Sequence, residues 1–315
     1  MSTRNESSGV VGVGVASSLG LSEVLSLSPL SFLDGWWHSL FVQYPEWQVF
    51  LVGSFLVTTL AFWGTSLLFL MLDLTGQPSF LLRYKTQAEQ NSPLEWADLV
   101  KGLKRVGFNS WVLNPLLGLV LFPLTRGPLD RPLPALGELV FHLVMFLLVE
   151  EVCFYYSHRL FHSPYFYKRF HKIHHEWTAP IAMAAIYAHP LEHILSNLLP
   201  VAAGPLLMGS HIVTMWIWFA VALVNTCYSH SGYHFPFTLP TQFHDYHHLK
   251  FSNNFGVLGV LDYLHGTDSH YRASPQFKND RPFFSFAPVW DLTDTTTDIR
   301  KAAAKIKSAE TKKTS

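Results

Sequence analysis

Twelve of the seventeen histidines in this 315-residue chain fall in five spaced runs between residues 158 and 248. The runs are His158/His162, His171/His174/His175, His189/His193, His230/His234 and His244/His247/His248. Neutral imidazole is the commonest protein ligand for transition metals, and residues three and four apart on a helix share a face. Each run therefore aims two or three nitrogens in one direction. The arrangement occurs twice: an apolar stretch, a spaced pair, a short link and a three-histidine fan. Two similar ligand sets closing over one site is the economical reading. The ten imidazoles of the two pairs and two fans (His158, His162, His171, His174, His175, His230, His234, His244, His247, His248) exceed what one metal takes and suit two. An all-histidine donor set without thiolates departs from structural zinc sites and suits a redox iron.

The remaining polar groups of this region stand behind the ligands. Glu151, Tyr155, His158 and His162 are spaced four, three and four apart, which places them on one helical stripe. Ionisable residues within apolar stretches face a partner or a cavity. Glu151 then either accepts a hydrogen bond from a ligand imidazole, fixing its tautomer, or meets a backbone donor or a lysine at the interface. Asp245, inside the second fan, either orients an imidazole or caps a helix. His189, Glu192 and His193 fit a place behind the metal ligands or at a substrate entrance. His265 and His270 lie outside the pattern and read as surface or packing residues.

Apolar stretches must position these groups. The composition is 49% hydrophobic and 14% charged, against about a quarter charged in soluble domains. Val49 to Leu72 carries no charge and is long enough for a bilayer core of roughly 30 Å. Further apolar stretches run over Gly107–Thr125 (bent at Pro115 and Pro123), Leu136–Tyr156, Ile194–Met208 and Ile212–Tyr228. These predict an all-α polytopic membrane protein of four to five embedded helices, with a cytosolic helical cap that carries a histidine-rich two-metal site. Its parts are an N-terminal flexible or interfacial segment (1–48), N-terminal membrane helices (49–133), the histidine domain (134–272) and a cytosolic tail (273–315). Trp36, Trp37 and Trp47 precede the first span, where aromatic rings favour the headgroup level.

Arg83, Lys85, Lys101, Lys104, Arg105, Lys168, Arg169, Lys172 and Lys250 lie in the same connections as the histidines, which the positive-inside rule assigns to the cytosol. Arg126 and Arg131, in the opposite loop, count mildly against it. Lys312 and Lys313, fourth and third from the end, are similar to a dilysine retrieval signal for the endoplasmic reticulum, or form an ordinary basic tail. Cys153 and Cys227 lie in apolar stretches as small hydrophobes. Zero net charge and the lack of a basic stripe argue against nucleic acid.

The boxes His158-x3-His162, His171-x2-His174-His175 and His244-x2-His247-His248, with the pair His230-x3-His234, resemble those of the fatty acid hydroxylase and sterol desaturase superfamily. Within it, the strings HHEWTAP (174–180), YAHPLEH (187–193), HDYHHLKF (244–251) and GVLGVLDYLHGTD (256–268) resemble a branch similar to methylsterol monooxygenases. The resemblance implies a non-haem di-iron oxygenase of the endoplasmic reticulum membrane. It implies two iron ions held by the ten box histidines, and electrons from NAD(P)H through cytochrome b5 or its reductase. The substrate it implies is a lipid with an unactivated C–H bond, foremost a sterol C4-methyl group and alternatively a fatty acyl chain. A zinc-binding scaffold without turnover is the reading from another class. A metal transporter would carry its ligands near the midplane of the spans, not at their ends.

Overall fold

The computed structural model describes residues 20–88, 90–91, 94–293 and 295; Lys312 and Lys313 lie outside them. Five helices are long and apolar enough to cross a membrane: α1 (Glu46–Thr75), α2 (Trp96–Leu124), α3 (Leu136–Phe161), α4 (Pro190–Met208) and α5 (Ile212–Ser229). Their outer faces are leucine-rich and uncovered: Leu60 and Leu68 on α1, Val120 on α2, Phe141 and Leu148 on α3 and Val221 on α5 are all exposed. Such a belt would be unstable against water and is what hydrocarbon requires. This is a multi-pass membrane protein. Among the described residues there is no strand; the one extended pairing is an antiparallel bridge between Lys85 and Tyr233.

The helices pack through buried apolar clusters and, at two glycines, through close approach to the backbone, as lipid-embedded helices do. α1 lies along α5, and a Cβ at Gly53 would fall 2.1 Å from the Trp216 ring. α3 lies along α4, and a Cβ at Gly204 would fall 2.8 Å from the Phe146 Cα.

The second span starts earlier than its apolar stretch. Residues 96–108 form a helix that buries Leu99, Gly102, Val106 and Gly107 on one face and turns Lys101 and Lys104 outward. These cations belong to the helix and not to a loop, because an amphipathic turn hides from a plain hydropathy count. The helix passes through a π turn at Asn109–Leu113 before Pro115. Trp37 also departs from expectation. It is buried against Phe41, His211 and Trp216, and its Nε1–H donates to the Leu129 carbonyl at 3.2 Å. Trp36 and Trp47 remain exposed.

Five alternating spans put the C-terminal ends of α1, α3 and α5 and the N-terminal ends of α2 and α4 at one end of the bundle. All five histidine runs lie there. The link between α1 and α2 is tied down at this end. Lys85 Nζ donates to Asp73 at 3.3 Å and to the Asn91 carbonyl at 2.8 Å, and the Thr86 N–H donates to Gly232 O at 2.8 Å.

Candidate metal centre

The stripe on α3 forms as its spacing predicts: Glu151, Tyr155 and His158 are buried, and His162 follows as the last residue before the chain turns. The first fan is a tight 3-10 turn, His171–Glu176, whereas the second lies on a true helix, α6 (Gln242–Lys250). Together these elements bring nine imidazoles into two groups. His158, His162, His171, His175 and His247 form the first, and His174, His230, His244 and His248 the second; within each, one nitrogen per ring lies within 4.8 Å of all the others.

The grouping does not follow the two pair-and-fan sets of the sequence, whose spacing leaves open which histidine serves which metal. Each fan keeps its first and last histidine with its own pair, while the middle one crosses over. His174 joins the second group and His247 the first. Adjacent residues in a turn point to different sides, so each fan contributes to both groups. The groups are neighbours: the rings of His175 and His248 lie 4.8 Å apart. His234 is brought into neither. α5 ends at Ser229, Gly232 takes φ +74°, and the turn carries His234 away from the stripe that would continue past His230. It is buried edge-on to Phe283, and neither ring nitrogen has a hydrogen-bond partner among the described residues.

Tautomers follow from the partners. A carbonyl oxygen only accepts, so a ring nitrogen against one must carry the proton. Nδ1 of His158 donates to Phe255 O at 2.8 Å, and that of His247 to Asn253 O at 2.6 Å. The Nδ1 groups of His174, His230 and His248 donate to the carbonyls of Tyr187 (3.2 Å), Thr226 (2.8 Å) and Trp177 (2.9 Å). These rings are left with bare Nε2 lone pairs.

They converge with the Nε2 atoms of His162, His171, His175 and His244, whose tautomers no backbone carbonyl sets. The Nε2 atoms of His162 and His171 are 2.8 Å apart, those of His171 and His175 2.9 Å, and those of His162 and His247 3.2 Å. In the second group the separations are 2.8 Å for His230–His244 and 3.1 Å for His244–His248. Ligands about 2.1 Å from a common metal and a right angle apart would stand roughly 3 Å from each other. Burial, followed by neighbouring imidazoles, holds His162, His171, His175, His244, His247 and His248 well below the ordinary histidine range. The same burial holds His174 at about 4 and His230 at about 3. At these separations two neutral rings either share one N–H between their nitrogens or, with both lone pairs bare, need a cation among them, and each bare Nε2 is a ready ligand. The donor set fits a metal in each group.

Glu192 takes a place behind a ligand: its Oε1 lies 2.7 Å from His171 Nδ1, with both side chains buried. Glu151 does not. Its carboxylate accepts three backbone N–H groups, from Val257 (2.8 Å), Leu258 (2.7 Å) and Leu261 (3.1 Å), which is the backbone-donor reading of that residue. The three donors surround the start of the helix Val260–His265, where an anion is favoured. Asp262 grips the same loop through the N–H groups of Phe255 (2.8 Å) and Gly256 (2.7 Å). This loop supplies the carbonyls of Phe255 and Asn253, so Glu151 acts on His158 and His247 at one remove.

Asp245 neither orients an imidazole nor caps α6; it accepts from Thr86 Oγ1 at 3.0 Å and Gln87 Nε2 at 3.1 Å, tying the α1–α2 link to the second fan. Tyr155 pairs with Thr267 Oγ1 (3.2 Å), accepts from Arg159 (3.0 Å) and stacks on His265. His189 accepts the Leu191 N–H on Nδ1 as a helix cap. His193 bonds Asn114 Oδ1 at 2.9 Å. None of these three touches a ligand imidazole through a hydrogen bond. The five carbonyls that set the tautomers had no sequence signal, since every residue has a carbonyl. Asn109, whose Nδ2 donates to Ile186 O (2.8 Å) and Ala188 O (3.1 Å) beside Tyr187, was likewise invisible.

Comparison with known proteins decides the family. The model of the fatty acid hydroxylase family matches residues 143–267. Human fatty acid hydroxylase domain-containing protein 2 is 44% identical over 263 residues, covering 82% of this chain and 79% of its own length. The chain belongs to the fatty acid hydroxylase family. Methylsterol monooxygenase 2-2 of Arabidopsis thaliana is 31% identical, covering 79% of this chain and 97% of that protein. Fatty acid hydroxylase ahd1 of Mycosarcoma maydis is 39% identical, covering 65% of this chain and 54% of that protein. No solved structure matches. The family match spans the α3 stripe, both fans and the Glu151-bound loop, so the residues of both nitrogen groups lie inside it.

Proposed function

We propose that this protein is a membrane di-iron oxygenase that hydroxylates an unactivated C–H bond of a lipid. The observation that carries the proposal is the pair of adjacent all-nitrogen groups, nine neutral imidazoles with no carboxylate among them. Two irons held there would supply the one-electron chemistry that activates dioxygen. The chain's own part is to position and to exclude water. Backbone carbonyls fix five rings, and Glu192 fixes His171. The second group offers four nitrogens against five in the first, which leaves room there for an exogenous ligand. Trp177 and Tyr187, whose carbonyls hold His248 and His174 of this group, belong to a buried apolar cluster with Phe62, Ile181, Met183 and Cys227. His234, which the spacing also put among the ligands, lies in neither group, so the reading rests on the other nine.

A sterol is the substrate we favour, with oxidation at a C4-methyl group, because the methylsterol monooxygenase relative aligns along nearly its whole length. Hydroxylation of a fatty acyl chain is the second reading, favoured by the fungal fatty acid hydroxylase. Electrons would come from NAD(P)H through cytochrome b5 or its reductase, with the histidine end facing the cytosol of an endoplasmic reticulum membrane. The test is iron-loaded protein supplied with NADPH, reductase, cytochrome b5 and oxygen, with 4-methylsterols and long-chain acyl lipids offered in parallel. Gain of one oxygen on the sterol alone supports the reading. Product from the acyl lipid alone replaces the substrate. Firmly bound zinc with no oxygen uptake replaces the oxygenase by a metal-binding scaffold.

A further inference from the structure

Away from the histidines, the same end of the bundle holds a cavity of about 530 Å³ between α2 and the start of α4. Lys101, Lys104, Arg105, Phe108, Asn109 and Pro190 line it. The four charged and aromatic side chains recur at i, i+3, i+4 and i+7 on α2, a single helical face. Lys101 is held by Glu176 at 2.8 Å. Lys104 and Arg105 enter no ion pair among the described residues, and Arg105 lies over the Tyr187 ring at 5.4 Å. Asn109 is fully buried. Its Nδ2 is committed to the carbonyls of Ile186 and Ala188, which leaves Oδ1 without a partner. Directly below along α2, Phe108 and Trp111 are exposed on the outer surface of the span. The cavity thus has two cations without an ion-pair contact, of which Arg105 also feels the Glu176 and Glu192 carboxylates, and an orphaned acceptor above, with a lipid-facing aromatic ledge beneath.

We propose that this cavity binds the phosphate headgroup of an anionic membrane phospholipid. Lys104 and Arg105 take the phosphate, a headgroup hydroxyl donates to Asn109 Oδ1, and the acyl chains run down past Phe108 and Trp111. A basic cluster at the end of a span attracts anionic lipid at roughly a fivefold gain in affinity per cation. Charge alone would leave the buried Asn109 oxygen unexplained; a hydroxyl-bearing headgroup such as inositol satisfies both. Occupancy would also bear on the metal centre. Arg105 and Asn109 both hold the segment 186–188, and the Tyr187 carbonyl orients His174.

The experiment is native mass spectrometry of the full-length protein in detergent, titrated separately with phosphatidylinositol, phosphatidylcholine and inorganic phosphate. Phosphatidylinositol should bind in preference to phosphatidylcholine. Lys104→Gln with Arg105→Gln should weaken it about twenty-five-fold, the product of two roughly fivefold losses. Lys104→Gln alone, at an exposed position, should fold normally and weaken it about fivefold. Equal binding of phosphatidylcholine, or an unchanged affinity in the double variant, overturns the proposal. Displacement by inorganic phosphate at equal concentration overturns the lipid source in favour of a free anion. If lipid binding is unchanged while the double variant loses cytochrome b5, the surface belongs to an acidic protein partner instead.

Discussion

Replacing Glu151 by Gln should remove metal from the first nitrogen group and spare the second. The carboxylate accepts three N–H groups, two on Oε2 and one on Oε1. A glutamine keeps one accepting oxygen. If that oxygen stays on Val257 and Leu258, the amide NH2 faces the Leu261 N–H, donor against donor. An unpaired buried donor costs about 1–3 kcal/mol, and reducing two charge-assisted bonds to neutral ones costs about 1 kcal/mol each. The loop is therefore loosened by roughly 3–5 kcal/mol, a large share of the 5–15 kcal/mol that usually holds a domain together. Its carbonyls at 253 and 255 fix His247 and His158, both in the first group, whereas the second group takes its carbonyls from residues 177, 187 and 226. Loss of such outer hydrogen bonds typically lowers metal affinity 10–100-fold. The assay is iron per chain by mass spectrometry across a chelator titration, with thermal unfolding in parallel. Wild type should release two irons in similar chelator ranges, and Glu151→Gln should release one early and keep one. Retention of both irons at wild-type chelator concentrations would refute the link from Glu151 through the loop to His158, and simultaneous loss of both would refute the independence of the two groups.

The crossover predicts that His174→Ala weakens the same metal as His230→Ala, and His247→Ala the same metal as His171→Ala; pairing by fan instead would sink it. His211 accepts the Val213 N–H on Nδ1 and donates from Nε2 to the Arg131 carbonyl, so it serves only when neutral, and burial lowers its pKa below the ordinary 6.5. The unfolded chain then binds the extra proton first, so this contribution is complete above about pH 6.5 and is lost as pH falls. Wild type should shed about 1 kcal/mol of cap stability on acidification, and His211→Asn, a cap that does not titrate, should show a shallower fall in Tm; equal slopes would contradict the assignment. Gly204→Ala would place a methyl 2.8 Å from the Phe146 backbone, so α3 and α4 must part, at about 1–3 kcal/mol. Its Tm should drop by several degrees, and an unchanged Tm would show that the helices have slack.

Periodicity and box spacing made the five helices and nine of the ten histidines legible, because a bilayer demands long apolar runs and a metal demands convergent nitrogens. What they could not carry is how two sets interlock. Sequence order places His174 with His171 and His247 with His244, but direction around a turn, not order, decides which group a ring enters. The pair His230–His234 shows the same point from the other side. Its spacing equals that of His158–His162, yet Arg159-Leu160-Phe161 continues a helix while Ser231-Gly232-Tyr233 ends one, with Gly232 at φ +74°. That glycine was the available signal, and it outweighs the spacing, because equal spacing predicts equal direction only on an unbroken helix. Glu151 teaches a related lesson. Stripe membership placed it correctly beside the site, but a carboxylate at the start of a helix is drawn to the N–H groups there before any imidazole. The centre is held by carbonyls that the loop presents, and the acidic side chains hold the loop. Changing Glu151 should therefore alter the metal centre through a group that never touches it.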